Sequence, residues 1–104
     1  MNTNEIPNLL DKQIAARRAE TLKALGHPLR LRLVDLLATG ACHVGELAEK
    51  LEQSSAIVSQ QLKILRLSRL VEVQKRAGHS YYRLANRHLP RLLACLKSCD
   101  QETK

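Results

Sequence analysis

The segment 47–84 constrains the fold more than any other part of the chain. It holds two amphipathic helical patterns separated by a short polar break, and two runs of strand composition follow them. In the second helical pattern Val58, Leu62 and Leu65 recur at spacings of four and three, which places them on one buried face. Ser54 comes just before this helix and is predicted to be its N-cap, because a serine hydroxyl can accept from the first unpaired amides. The pattern predicts a mainly α fold with a small β-hairpin, of the winged helix-turn-helix type.

The other face of the second helix is polar and basic, and it carries no acid. Small side chains there would let the backbone approach the major groove of DNA, glutamine can pair with base edges, and serine and lysine can bind phosphates. We therefore expect Ser54 to contact a phosphate, and Lys63 a phosphate or a base. The residues expected in the groove itself are Ser55, Ser59 and Gln60. Arg30 is a further candidate for a phosphate contact, with a solvated side chain as the alternative.

Two strand-like runs, 70–73 and 80–84, flank a predicted basic tip at 74–79. Gly78 lies in this tip, where it can adopt a positive φ. A basic hairpin directly after a reading helix is a wing that can reach the neighbouring DNA backbone or the minor groove. Its expected DNA contacts are Lys75, Arg76 and His79.

The charge distribution points in the same direction. The chain has a net charge of +7, and Glu72 is the sole acid between residues 53 and 99. A basic excess of this kind indicates a polyanionic partner. A merely solvated basic face would not explain why the charge coincides with the helix-turn-helix pattern. Tyr81 and Tyr82 are the only aromatic residues, which favours double-stranded DNA over single strands held by base stacking.

The length of 104 residues suits a single domain spanning 1–104. Within it, 42–84 is the expected reading motif and wing, with the first helix of the motif starting at Cys42. Asn86 is the expected N-cap of a last helix. This helix has a leucine stripe broad enough to pack on a second copy of the chain, formed by Leu89, Leu92, Leu93 and Leu96.

No signal segment or apolar run of membrane-spanning length is seen, so we expect a cytoplasmic protein that does not associate with membranes. Three cysteines without a secretion signal are expected to be reduced thiols rather than a disulfide framework. Glycine-rich phosphate loops and Ser or Cys nucleophiles with a His–acid pair are lacking, which argues against an enzyme.

Four stretches carry a family resemblance: LKALGHPLRLRLVDLL (22–37), CHVGELAEKL (42–51), SSAIVSQQLKILRLSRLV (54–71) and KRAGHSYYRL (75–84). Together they resemble the ArsR/SmtB family of bacterial winged helix-turn-helix repressors. The resemblance implies a homodimer built largely through the first and last helices (8–25 and 86–100). It also implies a roughly palindromic double-stranded operator, and release from it when a small inorganic effector binds.

The first hypothesis for the effector is thiol chemistry at Cys95 and Cys99. The two residues are four apart on the last helix and so lie on one face. Two thiolates can bind As(III) or Sb(III), or can be bridged by oxidised sulfur, and Cys42 is a candidate third ligand. Persulfide-sensing members of the family pair a cysteine on the second helix with one on the last. Asp35 stands at the second-helix position here, which argues against that pairing.

Two alternatives remain open. The resemblance aligns Asn86, His88, Cys99 and Glu102 with the Zn(II) ligands of zinc-sensing members, which are paired across the dimer. His88, Cys99 and Glu102 are suitable ligands, whereas Asn86 is a poor one. In the other alternative the thiols bind no effector: either the cysteines are only small buried hydrophobes, or the whole chain is an architectural DNA-binding dimer that responds to no effector. No other cofactor is indicated.

Overall fold

The computed structural model describes residues 6–102, and their side chains as far as residue 99. The helices are α1 (Lys12–Leu25), α2 (Pro28–Leu37), α3 (Val44–Leu51), α4 (Ser55–Leu67) and α5 (Leu89–Glu102), and the strands are β1 (Cys42–His43), β2 (Val71–Arg76) and β3 (His79–Leu84). The strands form an antiparallel sheet in the order β1-β3-β2. The predicted fold class, mainly α with a small β element in a winged helix-turn-helix, is confirmed.

The core is aliphatic and lies where α2, α3 and α4 meet. Its largest fully buried side chains are Leu33, Val34, Leu47, Val58, Leu62 and Leu65. The last three of these are the face predicted from the spacing of the second helical pattern. Because that face is buried in the core, the opposite face of α4 is exposed to solvent.

The first helix begins later than the predicted start at residue 8. Asp11 sets the boundary, since its carboxylate accepts a hydrogen bond from the Ile14 amide at 2.9 Å, and α1 starts at Lys12. His27 acts similarly for α2, with its Nδ1 accepting from the Leu29 amide at 3.1 Å.

The prediction that a helix starts at Cys42 is wrong. Cys42 and His43 form β1 instead, pairing with Tyr82 and Tyr81 of β3. The helix α3 starts only after them because His43 is its N-cap. Its Nδ1 accepts from the Glu46 amide at 3.3 Å, and the Glu46 carboxylate accepts from the His43 amide at 3.1 Å. This reciprocal capping box fixes the junction between the sheet and α3.

The hairpin turn is shorter than the predicted tip at 74–79. Only Ala77 and Gly78 form it, and residues 74–76 belong to β2. Both turn residues have positive φ, 48° for Ala77 and 81° for Gly78, as a type I′ turn requires. The expectation for Gly78 is confirmed, and the strands extend to the turn because this turn matches their twist.

Asn86 does not cap α5 directly, which corrects that prediction. Its carboxamide oxygen accepts from the His88 amide at 2.8 Å, capping a turn, and α5 begins at Leu89. The leucine stripe then divides along the helix. Leu89 and Leu93 are buried in the chain's own core, whereas Leu96 keeps 46% of its surface exposed. The outer end of α5 therefore presents an uncovered apolar side chain.

Candidate nucleic-acid interface and thiol pair

The turn between α3 and α4 delivers the N-terminus of α4 to the surface. Glu52 ends α3 in the left-handed conformation with φ 54°. Ser54 then caps α4, its Oγ accepting from the Ile57 amide at 3.2 Å, which confirms the predicted N-cap. A hydroxyl that accepts one hydrogen bond still has its own proton to donate. The same side chain can therefore cap the helix and reach a phosphate.

The outward face of α4 carries the residues predicted to meet DNA. All four of them are exposed: Ser55, Ser59, Gln60 and Lys63. Ile57, in the first turn of α4, is also exposed, with 43% of its surface accessible. The exposure of Ile57 was not among the features predicted from the sequence. The sequence does indicate this exposure, because Ile57 does not fit the spacing of Val58, Leu62 and Leu65 that defines the buried face.

The wing presents its basic residues on both faces of the hairpin. Side chains alternate across a strand, so Lys75 shares a face with the buried Val71, whereas Arg76 lies on the opposite face. His79 pairs directly with Arg76 and so shares its face. The wing can thus place one positive charge on either side of its tip.

Aromatic contacts join the outer face of the wing to the start of α3. The rings of His43 and His79 are stacked with centroids 5.7 Å apart, and His43 meets Tyr81 edge-on at 5.6 Å. The Arg76 guanidinium lies 5.8 Å from the centre of the Tyr81 ring. Because His43 also caps α3, these contacts position the wing relative to the helix-turn-helix.

The acid of the wing is neutralised within the sheet. Glu72 pairs directly with Arg83 across the strands, and its carboxylate accepts from the Arg83 Nε at 2.6 Å. Both side chains are about half exposed, so the pair adds little stability. The pair matters for the charge of the wing. Because Glu72 is neutralised by Arg83, the charges that remain on the hairpin are the positive ones of Lys75 and Arg76.

Arg30 was expected either to contact a phosphate or to be solvated, but its guanidinium donates hydrogen bonds to two groups of the protein. It is half-buried, and its Nε donates to the Ala24 carbonyl at 2.5 Å. Its Nη1 donates to the Gln61 carboxamide oxygen at 2.9 Å. Arg30 therefore ties the end of α1 and the middle of α4 to α2.

Cys95 and Cys99 lie one turn apart on α5, and both are exposed. The Cys99 thiol donates to the Cys95 carbonyl at 3.4 Å. Between them in sequence, Lys97 reaches Asp35 of α2, with Nζ 2.6 Å from the carboxylate oxygen. The pair is accessible to reagents from solution and lies beside an ion pair that joins α5 to α2.

Cys42 has a different environment. It keeps only 6% of its surface exposed, and its thiol donates to the Gly40 carbonyl at 3.6 Å. Burial raises the pKa of the Cys42 thiol, and the nearby Glu46 carboxylate raises it further. A buried, protonated thiol is a poor metal ligand and a poor nucleophile, so the structure gives no support to Cys42 as a third ligand.

A single chain does not bring the candidate zinc ligands together. His88 lies in the turn before α5, and Cys99 follows near the other end of the helix, about 15 Å further along its axis. The side chain of Glu102 lies outside the described residues. Within the described part of the chain, no cluster of three His, Cys, Asp or Glu side chains is suited to a metal ion.

Comparison of the sequence with known proteins identifies the family to which the chain belongs. Residues 27–73 match the family of bacterial regulatory proteins described as arsR. A biofilm growth-associated repressor from Agrobacterium fabrum is 38% identical over 96 residues, covering 92% of this chain and 82% of that protein. The chain belongs to the ArsR family. This ArsR-family protein is thus a winged helix-turn-helix DNA-binding transcriptional repressor of the ArsR/SmtB type and not an enzyme.

Two further relatives extend the comparison. The regulator NmtR from Mycobacterium tuberculosis is 44% identical over 85 residues, covering 81% of this chain and 70% of that protein. A homodimeric winged helix-turn-helix DNA-binding domain from Mycobacterium bovis superposes with a TM-score of 0.78 at 29% identity, covering 94% of this chain and 93% of that chain. Among the described residues of the ArsR-family protein, no helix is long and apolar enough to span a bilayer.

Proposed function

We propose that this ArsR-family repressor binds a palindromic operator as a homodimer and is released when a thiol-reactive effector engages Cys95 and Cys99. The observation that carries the proposal is the pair of exposed thiols one turn apart on α5. Arsenite, antimonite or a reactive sulfur species are the chemistries that two such thiols accommodate.

The DNA-binding part of the proposal rests on the outward face of α4. Ser55, Ser59 and Gln60 enter the major groove, where Gln60 can form a bidentate contact with an adenine edge. Ser54 and Lys63 contact the backbone at the two sides of the helix. The wing adds backbone or minor-groove contacts through Lys75, Arg76 and His79.

The dimer is proposed from apolar side chains that the single chain leaves uncovered. Near and on α1 these are Leu9, Leu10 and Leu22, with exposures of 48%, 58% and 57%, and on α5 Leu96 is 46% exposed. The two helices were the predicted dimerisation elements, and the M. bovis relative is homodimeric. Two-fold symmetry would place two α4 helices about one DNA turn, roughly 34–36 Å, apart.

Sedimentation equilibrium tests the dimer. Leu96→Asp is expected to shift the protein toward monomer, because it places a charge in the apolar interface. Leu67→Asp on α4 is the matched control, since Leu67 is 75% exposed in the single chain but lies outside α1 and α5. An unchanged dimer in Leu96→Asp would remove the outer end of α5 from the interface.

A signal from the thiol pair to the DNA-reading helix has a short physical route. The Lys97–Asp35 ion pair joins α5 to α2. The Arg30–Gln61 hydrogen bond joins α2 to α4. An effector that draws the two sulfurs together would act on α5 within one turn of Lys97 and so bias the position of α2.

Operator affinity of the reduced protein, measured by fluorescence anisotropy, tests the effector. The operator is first selected from random duplexes, and the complex is titrated with arsenite, antimonite, zinc and a persulfide donor. Release by a thiophilic agent, lost in the Cys95→Ser/Cys99→Ser protein and retained in Cys42→Ala, is the expected result. Release that persists in the double variant would defeat the thiol hypothesis.

The remaining outcomes identify the alternatives. Release by zinc alone would favour a site across the dimer from His88, Cys99 and Glu102. No release by any agent, with specific affinity less than about a thousandfold above non-specific affinity, would indicate an architectural DNA-binding dimer.

A further inference from the structure

We infer that Ile57 is a specificity-determining residue that reads the C5-methyl group of a thymine in the operator. The inference rests on the proposed operator binding by α4 and deepens it by naming an apolar contact beside the polar side chains proposed to enter the groove. Ile57 lies in the first turn of α4, with 43% of its surface exposed.

The position of Ile57 on the helix places it beside the proposed base-reading side chain. Ile57 and Gln60 are three residues apart, so they are neighbours on the helix surface. Ser54, whose Oγ accepts from the Ile57 amide at 3.2 Å, fixes the backbone at this point. Residues in the N-terminal part of a recognition helix are the ones that contact base edges. Ile57 therefore enters the groove with Gln60.

The chemistry of the major groove then selects the contact. Base edges present hydrogen-bond donors and acceptors there, and the thymine methyl is the apolar group among them. Contact with it removes apolar surface of Ile57 and of the methyl from water, which is favourable in proportion to the area buried. A β-branched side chain in a helix is confined to few rotamers, so little side-chain entropy is lost in holding the contact.

Ile64 provides a matched control within the same helix. It lies seven residues after Ile57, on the same face, with 37% of its surface exposed. Two turns of helix place it about 10 Å further from the N-terminus of α4. Ile64 therefore has the same side chain as Ile57 and a similar exposure, but it lies beyond the N-terminal turns of α4 that are proposed to enter the groove.

Replacing single thymines by deoxyuridine removes only the C5-methyl group and tests the inference directly. The full chain is titrated with the selected operator and with duplexes carrying one deoxyuridine in a half-site. We expect one position at which the replacement weakens wild-type binding about fourfold, the equivalent of one buried methyl group. Ile57→Ala is expected to bind the all-thymine operator about as weakly as wild type binds the duplex with deoxyuridine at that position. The same replacement should then cause no further loss of affinity in Ile57→Ala. Ile64→Ala is expected to retain the full wild-type loss.

The outcomes separate this inference from the proposed function. Specific binding by wild type, with the same deoxyuridine losses in Ile57→Ala as in wild type, would overturn the thymine contact and leave the repressor intact. Absence of any deoxyuridine-sensitive position would overturn it too. Equal wild-type affinity for operator and scrambled duplexes would instead refute operator recognition itself. Thermal unfolding of Ile57→Ala, expected to match wild type because Ile57 lies outside the buried core, confirms that the variant is folded.

Discussion

The guanidinium of Arg30 on α2 donates a hydrogen bond to the carboxamide of Gln61 on α4 at 2.9 Å, across 31 positions of sequence. The same side chain donates to the Ala24 carbonyl at the end of α1. Three helices thus meet at one half-buried arginine, directly behind the face of α4 proposed to read DNA.

Arg30→Met is expected to lower the free energy of unfolding by about 1–2 kcal/mol, because the Ala24 carbonyl and the Gln61 amide lose their shared partner. The salt dependence of DNA binding is expected to stay unchanged, since Arg30 acts through protein contacts. Urea unfolding and anisotropy at several salt concentrations measure the two effects. Arg32→Met, an exposed arginine on the same helix, is the control for unfolding. A smaller salt slope in Arg30→Met would instead place Arg30 on a phosphate.

Gln60→Ala is expected to weaken binding to the selected operator by about fivefold or more while sparing scrambled DNA, because a bidentate base contact discriminates by roughly 1–3 kcal/mol. Competition anisotropy with both duplexes measures the ratio. Gln13→Ala, at an exposed position of α1, should change neither affinity. An equal loss on both duplexes would remove Gln60 from base recognition.

Lys75→Ala and Arg76→Ala are each expected to weaken binding to all sequences and to reduce the slope of log affinity against log salt by about 1, because each removes one phosphate contact. The two residues lie on opposite faces of the wing, so their effects should be close to additive. Lys12→Ala on α1 should leave the slope as it is. If only one wing variant changes the slope, one face of the hairpin alone meets the backbone.

Ala77→Gly and Ala77→Asn are expected to stabilise the protein by about 1 kcal/mol. Ala77 has φ 48°, in the left-handed region that costs an ordinary L-residue roughly 1–2 kcal/mol, and it occupies the first position of a type I′ turn that prefers Asn or Gly. Thermal unfolding at fixed protein concentration measures the gain. Gly78→Ala should produce the opposite shift. A lower melting temperature in Ala77→Asn would contradict the turn assignment.

Alkylation of the native protein near neutral pH is expected to modify Cys95 and Cys99 rapidly and Cys42 slowly, because Cys42 is buried and its raised pKa keeps it protonated. The raised pKa also predicts a pH dependence of stability. Above the ordinary value of 9.0 the unfolded chain loses the Cys42 proton first, so the free energy of unfolding falls as pH rises toward the folded-state pKa.

Mass spectrometry of the alkylated protein and unfolding at several alkaline pH values test these statements. Cys42→Ala is the control for the pH dependence, and it should lack the part of the decline that Cys42 contributes. Modification of Cys42 as fast as the other two cysteines would show that the β1 region opens readily.

Local patterns in the sequence determined the reading helix of this repressor. The spacing of Val58, Leu62 and Leu65 required one buried face, and a serine before it could cap the helix with its own hydroxyl. The exposure of Gln60 and Lys63 followed from the same periodicity. Side-chain period and capping act within a few residues, so a sequence records them directly.

Contacts between distant segments decided the rest. Cys42 and His43 became a strand because β3, almost forty residues later, offers hydrogen-bonding partners, and a two-residue strand has no periodicity of its own. Arg30 donates a hydrogen bond to Gln61 only because three helices pack together at this point. The exposure of Ile57 likewise depends on which neighbouring elements cover α4. These features are set by the relative placement of elements, a property of the tertiary structure that no short stretch of sequence encodes.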